Sequence, residues 1–101
     1  MQLSTTINGS TAVFKMSGRF DFNDHRLFKA AYDPLLQQAE LKIIDVDLAE
    51  ISYLDSSALG MLMLLRERAE AVGMTVELSN PNASVAQILD ISNFAKLFTI
   101  R

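Results

Sequence analysis

Two adjacent serines, Ser56 and Ser57, follow Asp55 at the head of a long helical pattern, and they are the side chains best placed to do chemistry. At a helix mouth, unpaired backbone N–H groups and the positive end of the dipole favour an anion. Ser56 is therefore positioned to accept and hold a phosphoryl group. A hydroxyl there can also serve only as a cap, because Ser and Asp are preferred caps. No Glu or Gln stands three residues after Ser56, so the reciprocal capping box is missing. Nucleophilic catalysis would need a base, and the one histidine, His25, lies in the first helical pattern between Asp24 and Arg26. The serine is not flanked by the glycines of a nucleophile elbow. Cysteine is absent, as are a glycine-rich phosphate loop and a metal-ligand cluster. The chain reads as a non-enzyme with no cofactor and no metal.

The helix after Asp55 shows what such a site could regulate. At the helical period, Ala58, Leu62, Leu65, Ala69 and Val72 form a stripe that is expected to face the core. Ser56, Gly60, Met63, Leu64 and Glu67 project to the other side. Exposing Met and Leu together gains nothing for a solvated face, so these residues suggest a surface that contacts a partner. The alternative is that a second layer of the same domain covers them. Gly60 costs about 1 kcal/mol relative to Ala inside a helix. Its lack of a side chain allows close approach, either by a partner or by the domain's own sheet edge.

Alternating strands and helices must position this site. Leu3–Ile7 and Thr11–Ser17 are β-prone runs around Asn8-Gly9-Ser10, a hairpin signal. A helical pattern begins near Asp24, with Asn23 or Asp24 as cap, and Pro34 should end or kink it near Tyr32. Lys42–Leu48 reads as a central strand, Ser56–Val72 as a helix stopped by Gly73, and Met74–Leu78 as a further strand. A turn at Asn80-Pro81-Asn82, a short helix over Ser84–Leu89 and an edge strand within Leu97–Ile100 complete a ββαβαβαβ order. This order predicts one α/β domain, residues 1–101, with helices packed on a mixed sheet, an antiparallel first hairpin and right-handed crossovers.

Composition narrows the function. A chain of 101 residues has room for one core and one site. With a net charge of −3 it carries no basic stripe, so nucleic acid is not expected as a partner. No apolar stretch approaches the roughly twenty residues that span a bilayer, and the start lacks the pattern of a signal peptide. Direct membrane insertion is not expected, and a cytoplasmic location is the default, in keeping with the lack of cysteine.

The run Tyr53-Leu54-Asp55-Ser56-Ser57-Ala58-Leu59-Gly60 closely resembles the hallmark of the STAS family of anti-sigma factor antagonists: an apolar residue, then Asp-Ser-Ser/Thr-Gly-Leu-Gly. Ser17-Gly18-Arg19-Phe20-Asp21 is similar to the family's Gly-Glu-Leu/Ile-Asp segment, and Asp90-Ile91-Ser92-Asn93-Phe94 to its late Asp-x-Ser/Thr-Gly-Leu segment. Ala58, Arg19 and Asn93 depart from those patterns. The resemblance implies a STAS-like fold and a phosphoprotein that acts by partner switching in signal transduction and transcription regulation. Ser56 is then the residue phosphorylated by a partner kinase, and Asp21 the acidic residue of the loop near it. The implied partners are an anti-sigma factor/serine kinase and a serine phosphatase, or another regulator such as a second-messenger enzyme. Asp21, Asp55, Ser57, Gly60, Met63 and Leu64 are the expected partner-binding residues. STAS-like domains also serve as non-switching scaffold subunits of transporters and larger assemblies, which is the competing reading.

Overall fold

The computed structural model describes all 101 residues. Its elements are β1 (Gln2–Asn8), β2 (Thr11–Phe20), α1 (His25–Tyr32), β3 (Ile43–Leu54), α2 (Ser56–Ala71), β4 (Thr75–Ser79), α3 (Ala83–Ile91) and β5 (Thr99–Ile100). Short 3-10 turns at Phe22–Asp24, Leu35–Gln37 and Phe94–Lys96 link them. The ββαβαβαβ order is the expected one. The five strands lie in chain order in one mixed sheet, with β1 antiparallel to β2 and every later pair parallel.

Side-chain alternation makes this sheet one-sided. Ala12, Phe14 and Met16 of β2, Ile44, Val46 and Leu48 of β3, and Val76 and Leu78 of β4 are buried on the face that the helices cover. The other face carries Lys15, Asp45, Asp47 and Glu77, with Asp45 accepting from the Ser79 hydroxyl at 2.7 Å and Arg101 reaching Glu77 at 2.8 Å. A core of 25 buried apolar residues unites the sheet with all three helices. Phe28 of α1 is its aromatic centre, with ring centroids 5.0 Å from Phe20, 5.5 Å from Tyr32 and 6.0 Å from Phe14. Such edge and tilted pairs add about 0.5–1.5 kcal/mol each beyond area burial, and those with Phe14 and Phe20 fix α1 on β2.

Three boundaries differ from the sequence reading. The first hairpin closes on Gly9-Ser10, shorter than the expected Asn8-Gly9-Ser10 link: Asn8 pairs with Thr11 in the ladder and Gly9 takes φ +60°. Glycine in the first central position is a favoured two-residue hairpin turn. Strands β2 and β3 run on to Phe20 and Leu54, beyond the expected ends. Register shifts between Lys15 and Ser17, and between Gly18 and Arg19, break the two-residue alternation, so that after Leu48 the buried positions are Ile51 and Leu54. Gly18 supplies the φ of +93° that the second irregularity needs. Pro34 ends α1 as expected: Tyr32 is its last residue and Pro34 starts the next 3-10 turn.

Candidate functional site

Strand β3 ends at Leu54 and the chain turns directly into α2, which places Asp55 and Ser56 at one end of the sheet. Asp55, in extended backbone conformation, is the N-cap: its Oδ1 accepts from the Ala58 N–H at 2.8 Å. Its Oδ2 accepts from the Phe22 N–H at 3.2 Å, tying the loop after β2 to the mouth of α2. The cap reading of Ser56 is thereby corrected. Asp55 does the capping, and Ser56 stands exposed at the first helical position.

The loop held by Asp55 is itself pinned. Asp21 Oδ1 accepts from the Asn23 N–H at 3.0 Å, while the Asp21 N–H donates to Asp24 Oδ2 at 2.9 Å. This is a capping box, and it belongs to the turn Phe22–Asp24. Asn23 or Asp24 was expected to cap α1; Asp24 holds the N-cap position but makes no side-chain cap bond, being buried and reaching back to Asp21, with the Met1 amino group 3.4 Å from its other oxygen. Asp21 and Asp55 thus lie on neighbouring segments, both spending carboxylate oxygens on backbone N–H groups.

Three large apolar side chains of these segments are exposed. Phe22 is 66% exposed, Tyr53 39% and Met63 44%. Phe22 and Tyr53 were not singled out in the sequence, where each lies beside a polar residue and outside any periodic stripe. The available signal was their position within two residues of the motif aspartates Asp21 and Asp55. The Arg19 guanidinium lies 4.5 Å from the centre of the Tyr53 ring, a cation–π contact between register partners of β2 and β3.

Of the residues expected to face a partner, Ser56, Ser57, Gly60 and Met63 are exposed, as is Glu67. Asp21, Asp55 and Leu64 are half-buried. Leu64, with Met61, lines a small cleft against His25, Phe28, Lys29 and Tyr32 of α1, so part of the expected outer face is covered by the domain's own helix. Val72 was expected in the core stripe, yet it is 51% exposed, because α2 ends at Ala71 and Val72 leaves the helical path as its C-cap. Met61 takes a core place instead, buried on the flank that α1 packs against. A Cβ built on Gly60 meets nothing within 4 Å, so the domain's own sheet edge does not require this glycine. A depression of about 320 Å³ on the open sheet face, lined by Gln2, Lys15, Asp47 and Glu50 among others, includes none of these residues. The candidate site is a surface and not a pocket.

The family model described as Mlab, STAS domain, matches residues 3–99. This chain belongs to the STAS-domain family. A STAS-domain containing protein of Pseudomonas aeruginosa (strain UCBPP-PA14) is 42% identical over 93 residues, covering 92% of this chain and 90% of that protein. Among solved structures, an anti-sigma-factor antagonist (STAS) domain protein from Planctomyces limnophilus matches with a TM-score of 0.84 at 13% identity, over 98% of this chain and 87% of that one. The phosphorylated form of the Bacillus cell fate determinant SpoIIAA matches at 0.75 and 19% identity, over 99% and 91%. A sulfate transporter family protein from Wolinella succinogenes matches at 0.77 and 16%, over 91% and 74%. At these identities the structures share the fold with this chain.

Two of the three departures from the STAS patterns, Ala58 and Asn93, have a clear local setting. Ala58, in place of the motif glycine, points into the core with no exposed surface. Asn93, in place of the later glycine, takes φ +58°, a left-handed conformation that Asn tolerates better than other non-glycine residues. Neither alters the acceptor end of α2. No helix of this STAS domain is long and apolar enough to cross a membrane.

Proposed function

We propose that this STAS domain is a phosphorylation-switched anti-sigma factor antagonist of the cytoplasm. With Ser56 unphosphorylated it sequesters an anti-sigma factor/serine kinase or a related regulator. Phosphorylation of Ser56 releases that partner, and a serine phosphatase restores binding. The observation that carries this reading is the division of labour at the head of α2: Asp55 caps the helix, so the Ser56 hydroxyl is left exposed and free to react.

The helix mouth can accommodate the product. The first N–H groups of a helix lack intrahelical acceptors, and only that of Ala58 is taken by Asp55. A phosphate on Ser56 adds −1.5 to −2 charges at pH 7 and can accept from the free N–H groups while the fold persists. A partner that packed over Phe22, Tyr53 and Met63 and offered no counter-charge would have to bury that dianion beside Asp55, at a cost on the order of 3 to 5 kcal/mol. This corresponds to roughly a hundred- to several-thousand-fold loss of affinity. In this reading the serine acts as a switch on binding and carries no catalytic step.

Phosphopeptide mapping of the protein isolated from its cells tests the acceptor assignment. Phosphate on Ser56, abolished in Ser56→Ala, is expected. Phosphate on Ser57 alone would refute it, and its absence under every growth condition would favour the non-switching scaffold reading.

A further inference from the structure

Strand β1 forms one edge of the sheet, so its outward row of N–H and C=O groups has no partner within the chain. The opposite edge is guarded, because β5 is two residues long and is followed by Arg101, ion-paired to Glu77. β1 has none of the usual protections. Its seven residues contain no charge and no proline, and its ladder runs from Gln2–Ser17 to Asn8–Thr11 without a register shift. Every residue but Leu3 is exposed, and Ile7 shows 49% of its surface.

We propose that β1 pairs antiparallel with β1 of a second copy of this chain, about a two-fold axis through Thr5. In that register Gln2 faces Asn8, Leu3 faces Ile7, Ser4 faces Thr6 and Thr5 faces its own copy. Each pair joins like with like: amide with amide, aliphatic with aliphatic, hydroxyl with hydroxyl. Facing residues share the same parity, so the outward-pointing backbone groups of one strand meet those of the other. Moving the axis by one residue in either direction sets Leu3 or Ile7 against Thr5 and breaks the matching.

Leu3, Thr5 and Ile7 register with Met16, Phe14 and Ala12, which are buried on the helix-covered face. Each exposed Ile7 therefore covers the half-buried Leu3 of the other copy on that face, and the helices of both copies lie on the same side of one continuous sheet. Gln2 pairs with Ser17 near the end of β2, and β2 runs parallel to β3, so β1 begins at the end of the sheet where Ser56 lies. Antiparallel joining sends the two Ser56 hydroxyls to opposite ends of the sheet, leaving both open. The dimer presents two switch sites and does not depend on the state of either.

Because the chain has no cysteine, introduced thiols report the register directly. Sedimentation velocity of the purified protein is expected to give the mass of two chains, against 11.2 kDa for one. Thr5→Lys, which opposes two ammonium groups across the axis, is expected to yield a single chain that remains folded by circular dichroism. Under mild oxidation Thr5→Cys, opposed to itself at cross-strand distance, is expected to form a disulfide-linked dimer much faster than Asn8→Cys, whose neighbour is Gln2. Sedimentation as a single chain at every concentration, a Thr5→Lys protein that stays dimeric, or equal cross-linking at positions 5 and 8 would each overturn the proposal.

Discussion

At the scale of single residues, the site depends on one aspartate having two backbone partners. Replacing Asp55 by Ala removes the helix cap, worth about 1 kcal/mol, and the tie to the Phe22 loop, worth about 1.5 kcal/mol as a hydrogen bond to a charged group. Thermal denaturation of Asp55→Ala is expected to show a fall of roughly ten degrees or more, at about 4–8 °C per kcal/mol for a domain of this size. Asp55→Asn keeps a good cap while weakening the second bond, and should fall between the two. Phe22, by contrast, is exposed and held by its backbone. Phe22→Ala is expected to leave stability within about 0.5 kcal/mol while reducing partner capture in a pull-down. Unimpaired capture would remove Phe22 from the interface. Ser56 and Asp55 were legible in the sequence because motif and helix start coincide there. Phe22 was not, because its exposure follows from a backbone bond to a residue 33 positions away.

At the scale of elements, α2 carries both the site and the expected contact surface, and the structure separates residues that a helical wheel placed together. Met63 is exposed, whereas Leu64 packs against α1. Met63→Glu is therefore expected to weaken partner binding with an unchanged melting temperature. Leu64→Glu is expected to lower the melting temperature by burying part of a charge between helices. The opposite pattern would mean that the two faces have been misassigned. Gly60 offers a sharper test, since a Cβ there meets nothing in the domain. Gly60→Ala should stabilise the fold by about 1 kcal/mol through helix propensity alone. Should the same variant lose partner binding, the glycine is kept for close approach by the partner. A wheel gives an angle without a neighbour, which is why Met61 and Leu64 depended on where α1 packs. The far halves of β2 and β3 were illegible for a related reason: the register shifts replace two-residue alternation with the three-residue spacing of Leu48, Ile51 and Leu54.

At the scale of the whole molecule, the fold is a sheet covered on one face, with a radius of gyration of 12.4 Å, close to the ~13 Å expected for a compact chain of this length. Its architecture was readable in outline because each helix and strand keeps its own period for most of its length. The asymmetry of the two sheet edges was not, since it depends on strand order. The proposed switch needs no rearrangement of this fold: a charge added at the end of the sheet alters what can dock there and leaves the core untouched. The central claim is tested most directly by capture of the partner from cell extract with Ser56→Ala and Ser56→Asp proteins, each first shown to be folded by circular dichroism. A phosphorylation switch on binding requires that Ser56→Ala recover the partner and that Ser56→Asp recover little or none. Equal recovery by the two folded variants would contradict it.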